Sequence, residues 1–123
     1  GAELGLALGG HEARQVTGRM IANTAAVVVF GPEHRAWMRQ EFPEHMGRVL
    51  AIGQVARGLG MLPRNRRLPL TQVVEAVTSG APRIVDTDWI EDPYGYDDRV
   101  KMICAKRILA AVDILATRVD WGD

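Results

Sequence analysis

Cysteine is almost absent from this chain. Cys104 is the only one in 123 residues, so no disulfide framework can form within it. A lone thiol fits a reducing cytosol. Histidine is also scarce: His11, His34 and His45 fall on separate predicted elements, with no pair at the i, i+4 spacing of a helical metal site. Neither a metal nor another cofactor is therefore expected. The sequence has no Gly-x-Ser-x-Gly elbow, Walker loop or dinucleotide fingerprint. Residues 5–10 are glycine-bearing but follow no predicted strand, so they make no phosphate cradle. Charge of one sign is not in excess either, because 15 Lys and Arg balance 15 Asp and Glu. That balance gives no push toward nucleic acid or an anionic membrane. No apolar run approaches a membrane span, and no basic segment leads into an apolar one at the start, which predicts a soluble cytoplasmic protein.

The remaining composition, 47% hydrophobic and 24% charged, is that of a folded chain with a real core, and residues 1–123 read as a single domain. Residues 1–10 read as the tail of a helix carrying Ala2 and Leu4 and running out through Gly5, Gly9 and Gly10. With no cap residue ahead of it, the chain looks as if it starts inside an element. Thr17 is placed to cap a short helix over residues 18–24. Residues 25–30, Ala-Ala-Val-Val-Val-Phe, are an unbroken apolar run rich in β-branched side chains and closed by Gly31-Pro32. Such a run predicts a strand buried on both faces, as in a parallel sheet. Pro32 and Glu33 suit the first turn of a helix over residues 32–42, with Trp37 and Met38 as apolar anchors and Pro43 as its stop. A second strand over 49–52 and a small helix over 54–59 follow, and the alternation argues for a parallel α/β layer.

Residues 60–69 form a loop with Arg64, Arg66 and Arg67 around Asn65. It reads as a solvated surface in preference to a phosphate patch, since no aromatic or glycine cradle accompanies it. Residues 70–79 are helical by pattern, with Gly80 as stop. The final helix, 97–118, is the clearest: Val100, Ile103, Cys104, Ile108, Ala111 and Leu115 recur at helical spacing, and Asp97 and Asp98 suit its positive end. On that face Cys104 reads as a small buried hydrophobe and not as a reactive thiol. Trp121, in the tail, is placed to fold back onto the body.

The densest chemistry lies in Trp89-Ile90-Glu91-Asp92-Pro93-Tyr94-Gly95-Tyr96, although aromatics are only 6% of the chain. Pro93 biases Asp92 toward an extended or turn backbone. Two readings stay open. The stretch is a capped helix entry with an aromatic cluster, or it is an acid held on a loop beside aromatics to exchange a proton in a cleft.

Several stretches in their order resemble low-molecular-weight protein tyrosine phosphatases, particularly divergent bacterial members. Glu3-Leu4-Gly5 is similar to a helix end of the family, and His11-Glu12-Ala13-Arg14-Gln15-Val16-Thr17 to its H-x-A-R-x-L-T turn. Residues 25–30 resemble its third strand and Glu33-His34-Arg35 its R-E-H helix start. Asp92-Pro93-Tyr94-Gly95, leading to a terminal helix with Ala110-Ala111-Val112-Asp113, resembles its Asp-Pro-Tyr loop. The resemblance implies a partial doubly wound parallel sheet of flavodoxin-like phosphatase type, with flanking helices and the N-terminal strands absent. It implies that Asp92 is the general acid that protonates the leaving oxygen of a phosphomonoester, and that Tyr94 lines the cleft against a phosphotyrosine ring.

The departures concern the nucleophile. The family's Cys-x-x-x-x-x-Arg phosphate loop is missing, Ala26 stands at a usual acid and Phe30 at a usual Met. Without the thiolate there is no covalent step for the acid to assist, so the chain is expected to be a silent relative. Its expected ligand is a phosphorylated protein or small phosphomonoester. Missing strands would bare an edge of the 27–30 strand, implying a homo-oligomer or a partner chain as cover. Two alternatives remain: a fragment of an active phosphatase whose N-terminal segment lies outside this sequence, or a different enzyme using Asp88, Glu91 and Asp92 as a carboxylate cluster.

Overall fold

The computed structural model describes residues 3–7, 24–64, 67–90 and 97–121. Its centre is β2 (Thr24–Val29), which pairs in parallel with β1 (Glu3–Ala7) on one side and β3 (Val49–Ala51) on the other. Side chains alternate across a strand. Accordingly Ala26 and Val28 enter one apolar cluster while Val27 and Val29 enter another, on the opposite face of the sheet. The strand is thus buried on both faces, as its unbroken apolar run predicts, and the chain is an α/β protein with a small parallel sheet.

Helix α1 (Pro32–Glu41) covers the Val27 and Val29 face through Met38, with Trp37 and Phe42 meeting edge to face at 5.7 Å. Its start is stabilised locally: Pro32 fills the first position and the Gly31 N–H donates to His34 Nδ1 at 3.2 Å. The chain leaves α1 at Pro43 through a 3-10 turn, Pro43–Arg48, into β3.

The other face of the sheet carries α2 (Ile52–Gly60), α3 (Val73–Gly80) and α4 (Asp98–Arg118), whose Val55, Leu59, Val73, Val77, Cys104, Ala111 and Leu115 pack with Ala26, Val28 and Leu50. Gln54 ties two of these helices together. Its Oε1 accepts from the Ala51 N–H at 3.2 Å, and its Nε2 donates to the Ala81 carbonyl at 2.9 Å. Helices α2 and α3 approach so closely that a Cβ on Gly58 would stand 2.8 Å from Val77 Cα. Asp97 caps α4 by accepting from the Val100 N–H at 3.0 Å.

The sequence expectations need four corrections. Residues 3–7 are a strand and not the tail of a helix. Leu4 and Leu6 also fit a period of two, and pairing with the unsatisfied edge of β2 outweighs what the local pattern suggests. It follows that an N-terminal strand is present and β2 is central, with Gly5 opposite Val27 and Val27 opposite Val49. The bare edge that called for a second copy or partner chain is therefore filled from within the chain. Residues 68–69 and 119–120, read as loop and tail, form a short parallel pair, β4 (Leu68–Pro69) with β5 (Val119–Asp120). Finally, the helix expected over 70–79 begins as a 3-10 turn, Leu70–Gln72. The short helix expected over 18–24 falls in residues 18–23, outside the described residues, and in Thr24, which opens β2. Among the described residues no helix is long and apolar enough to cross a membrane.

Candidate functional site

Ligands of parallel α/β sheets bind beyond the carboxyl ends of the strands. Here β2 ends at Val29 and continues into Phe30 and Gly31, and a cleft of about 930 Å³ opens beside them, lined by Gly31, Pro32, Trp89, Ile90, Cys104 and Arg107 among others. One wall is α4 and another is the 3-10 turn Asp86–Asp88 with the residues that follow it. Ile103, expected in the core, is 52% exposed because it lines this cleft.

The Asp86–Asp88 wall is held at several points. Its docking surface is a face of α2 formed by Gly53 and Arg57, which lie one turn apart. A Cβ on Gly53 would come within 2.7 Å of the Asp88 carbonyl oxygen, so only glycine lets the turn lie against the helix. From the next turn of α2, Arg57 grips the Asp88 carboxylate with two donors, at 2.8 and 2.7 Å, and also donates to the Arg83 carbonyl at 2.8 Å. The Val85 N–H gives Asp88 a third donor at 2.9 Å. Arg107, from α4, donates to the carbonyls of Thr87 at 2.6 Å and Trp89 at 2.9 Å. The Ile90 N–H closes onto the Phe30 carbonyl at 2.9 Å, which fastens the wall to the end of β2.

Asp88 is 1% exposed. Burial on its own would raise its carboxyl, but the Arg57 hydrogen bonds, the Val85 N–H and the charges of Arg57 and Arg107 hold it below the ordinary aspartate value. Its hydrogen bond raises Arg57 above the usual arginine value, against the effect of Arg57's own partial burial.

Asp92 and Tyr94, with Glu91, lie outside the described residues, which stop at Ile90 and resume at Asp97. Both flanks belong to the cleft region, since Ile90 lines it and Asp97 caps the helix whose Val100 lines it. Asp88 does not serve as a member of a carboxylate cluster, because its oxygens are taken by Arg57 and Val85. Among the described residues no group of His, Cys, Asp and Glu could hold a metal ion. His34 caps α1, His45 sits 3.6 Å from Glu44 and His11 is outside the described residues. Cys104 is buried on the cleft wall and in no disulfide.

The arginine loop serves packing and surface contacts. Arg64 reaches Asp113 at 3.2 Å and Arg67 donates to the Ala116 carbonyl at 3.0 Å, while Asn65 and Arg66 are outside the described residues. Sequence reasoning missed Arg57, Arg107 and Gly53. The one signal available for them was the i, i+4 spacing of Gly53 and Arg57, which becomes meaningful only once Asp88 is known to dock there.

Comparison with protein-family models, curated proteins and solved structures finds no match for this chain.

Proposed function

We propose that the chain is a phosphatase-like domain of the low-molecular-weight protein tyrosine phosphatase type, with a flavodoxin-like sheet, that takes an aryl phosphomonoester in the cleft at the end of β2. The observation that carries this reading is the convergence of three features there: the carboxyl end of the central strand, the braced Asp86–Asp88 wall, and the two flanks of the Asp-Pro-Tyr stretch. Asp92 is two residues beyond Ile90 in sequence, a reach of about 7 Å at full extension. In this reading Asp92 faces the ester oxygen and Tyr94 packs on the aromatic ring, while Trp89, Ile90 and Ile103 supply the apolar wall.

The chemistry stops at binding. Displacing an aryl oxygen from phosphorus needs a nucleophile, and these residues carry one cysteine, buried on α4, and no Cys-x-x-x-x-x-Arg run. The test is titration with phosphotyrosine, repeated for Tyr94→Ala and Asp92→Asn. Saturable binding that weakens about 10-fold in Tyr94→Ala, the loss of roughly 1.4 kcal/mol of ring contact, supports the reading. Absence of binding at millimolar ligand contradicts it. Steady release of phosphate, reduced in Asp92→Asn, contradicts the non-hydrolytic part alone.

A further inference from the structure

A second cleft, of about 530 Å³, lies along β3, the end strand of the sheet. Arg35 from α1 lines it, as do Met46, Gln54, Arg83 and Trp89, and no carboxylate does. Arg35 Nε has no access to solvent and meets no hydrogen-bond acceptor, the one such buried side-chain polar atom among the described residues. Buried polar groups without partners are rare and costly. Burial, and after it the repulsion of Arg39 one turn along α1, lower the Arg35 pKa from the usual arginine value. A guanidinium nonetheless stays charged, because it cannot be deprotonated in a protein. The Arg83 backbone carbonyl is occupied by Arg57, which fixes the chain at Arg83 beside the cleft.

A roomy cleft lined by two guanidinium-bearing residues and by no acid is complementary to an anion. Water in the cleft leaves the charge of these two arginines uncompensated. A phosphate compensates that charge, and the planar fork of arginine matches two oxygens at once. We propose that this second cleft is a binding site for a phosphate oxyanion, gripped by Arg35 and Arg83. Trp89 borders both this cleft and the one at the end of β2, but Arg35 and Arg83 line only the second.

Thermal unfolding and calorimetric titration with inorganic phosphate test this, against chloride at matched ionic strength. Phosphate is expected to raise the Tm of the wild-type protein, and Arg35→Met and Arg83→Gln are each expected to weaken phosphate binding about 10-fold or more. Arg83 is exposed, so Arg83→Gln keeps the test valid if Arg35→Met fails to fold. No Tm increment in the wild type overturns the proposal, as does an increment that survives either substitution. A parallel titration with phosphoserine identifies the source: tighter binding than inorganic phosphate assigns the site to a phosphorylated ligand, and equal binding assigns it to the free anion. Phosphate bound only in the first cleft would be insensitive to both substitutions, so the two sites fail independently.

Discussion

Arg57 and Asp88 form a two-pronged ion pair whose members sit in unequal surroundings: the Asp88 side chain is 2% exposed and that of Arg57 is 42%. The pair joins α2 to the wall of the main cleft, immediately ahead of the stretch that carries Asp92. The stability of that wall depends on an acid that water cannot reach.

The inequality predicts an asymmetry between substitutions. Arg57→Met strands a buried carboxylate that keeps only the Val85 N–H, and should cost about 3 kcal/mol or more. Asp88→Asn leaves a guanidinium that solvent already reaches, and should cost less. Urea unfolding of the two variants measures the difference. Equal losses would show that the ion pair is not what holds the turn.

A pH dependence follows from the same pair. The folded-state pKa of Asp88 lies below its reference of 3.8, so its contribution is fully present above that value and is lost as pH falls through the folded value. Arg57 is shifted upward from an already high value and adds nothing in the accessible range. Acid unfolding of the wild type should therefore steepen below about pH 4, and Asp88→Asn should flatten that part of the curve. A superimposable acid limb in the variant would contradict the assignment.

Gly58 offers a third prediction. Alanine in a helix interior gains about 1 kcal/mol over glycine. Here its Cβ would meet Val77 Cα and the Val77 carbonyl oxygen, each at 2.8 Å, and this neighbour is backbone that cannot rotate away. Overpacking of this kind costs about 1–3 kcal/mol, so Gly58→Ala should be neutral at best and on balance destabilising. The same logic makes Gly53→Ala destabilising through Asp88, with the added effect of displacing the cleft wall. Thermal unfolding of each variant provides the check.

The parts of the fold that were legible in the sequence are those whose local and long-range forces agree. The Ala-Ala-Val-Val-Val-Phe run gives a strand buried on both faces, Pro32 and Pro43 bracket α1, and Asp97 caps α4. Residues 3–7 were not legible, because glycine and alanine there favour no element strongly and the partner strand decides. Leu68 and Val119 lie 51 positions apart in sequence, and no local pattern announces their pairing. For the site, most of the acid-and-aromatic stretch lies outside the described residues, and the sequence groups Asp88 with Glu91 and Asp92 although its carboxylate belongs to Arg57. That assignment depends on a tertiary contact made possible by Gly53, and a single sequence does not display it.

The central claim, an aryl phosphomonoester bound at the end of β2 without turnover, is tested most directly by adding phenyl phosphate to isotopically labelled protein and following backbone amide resonances. The account predicts saturable shifts at Gly31, Ile90, Cys104 and Arg107, with the phosphate ester intact after prolonged incubation. Shifts absent from these residues, or confined to the second cleft around Arg35 and Arg83, would contradict it.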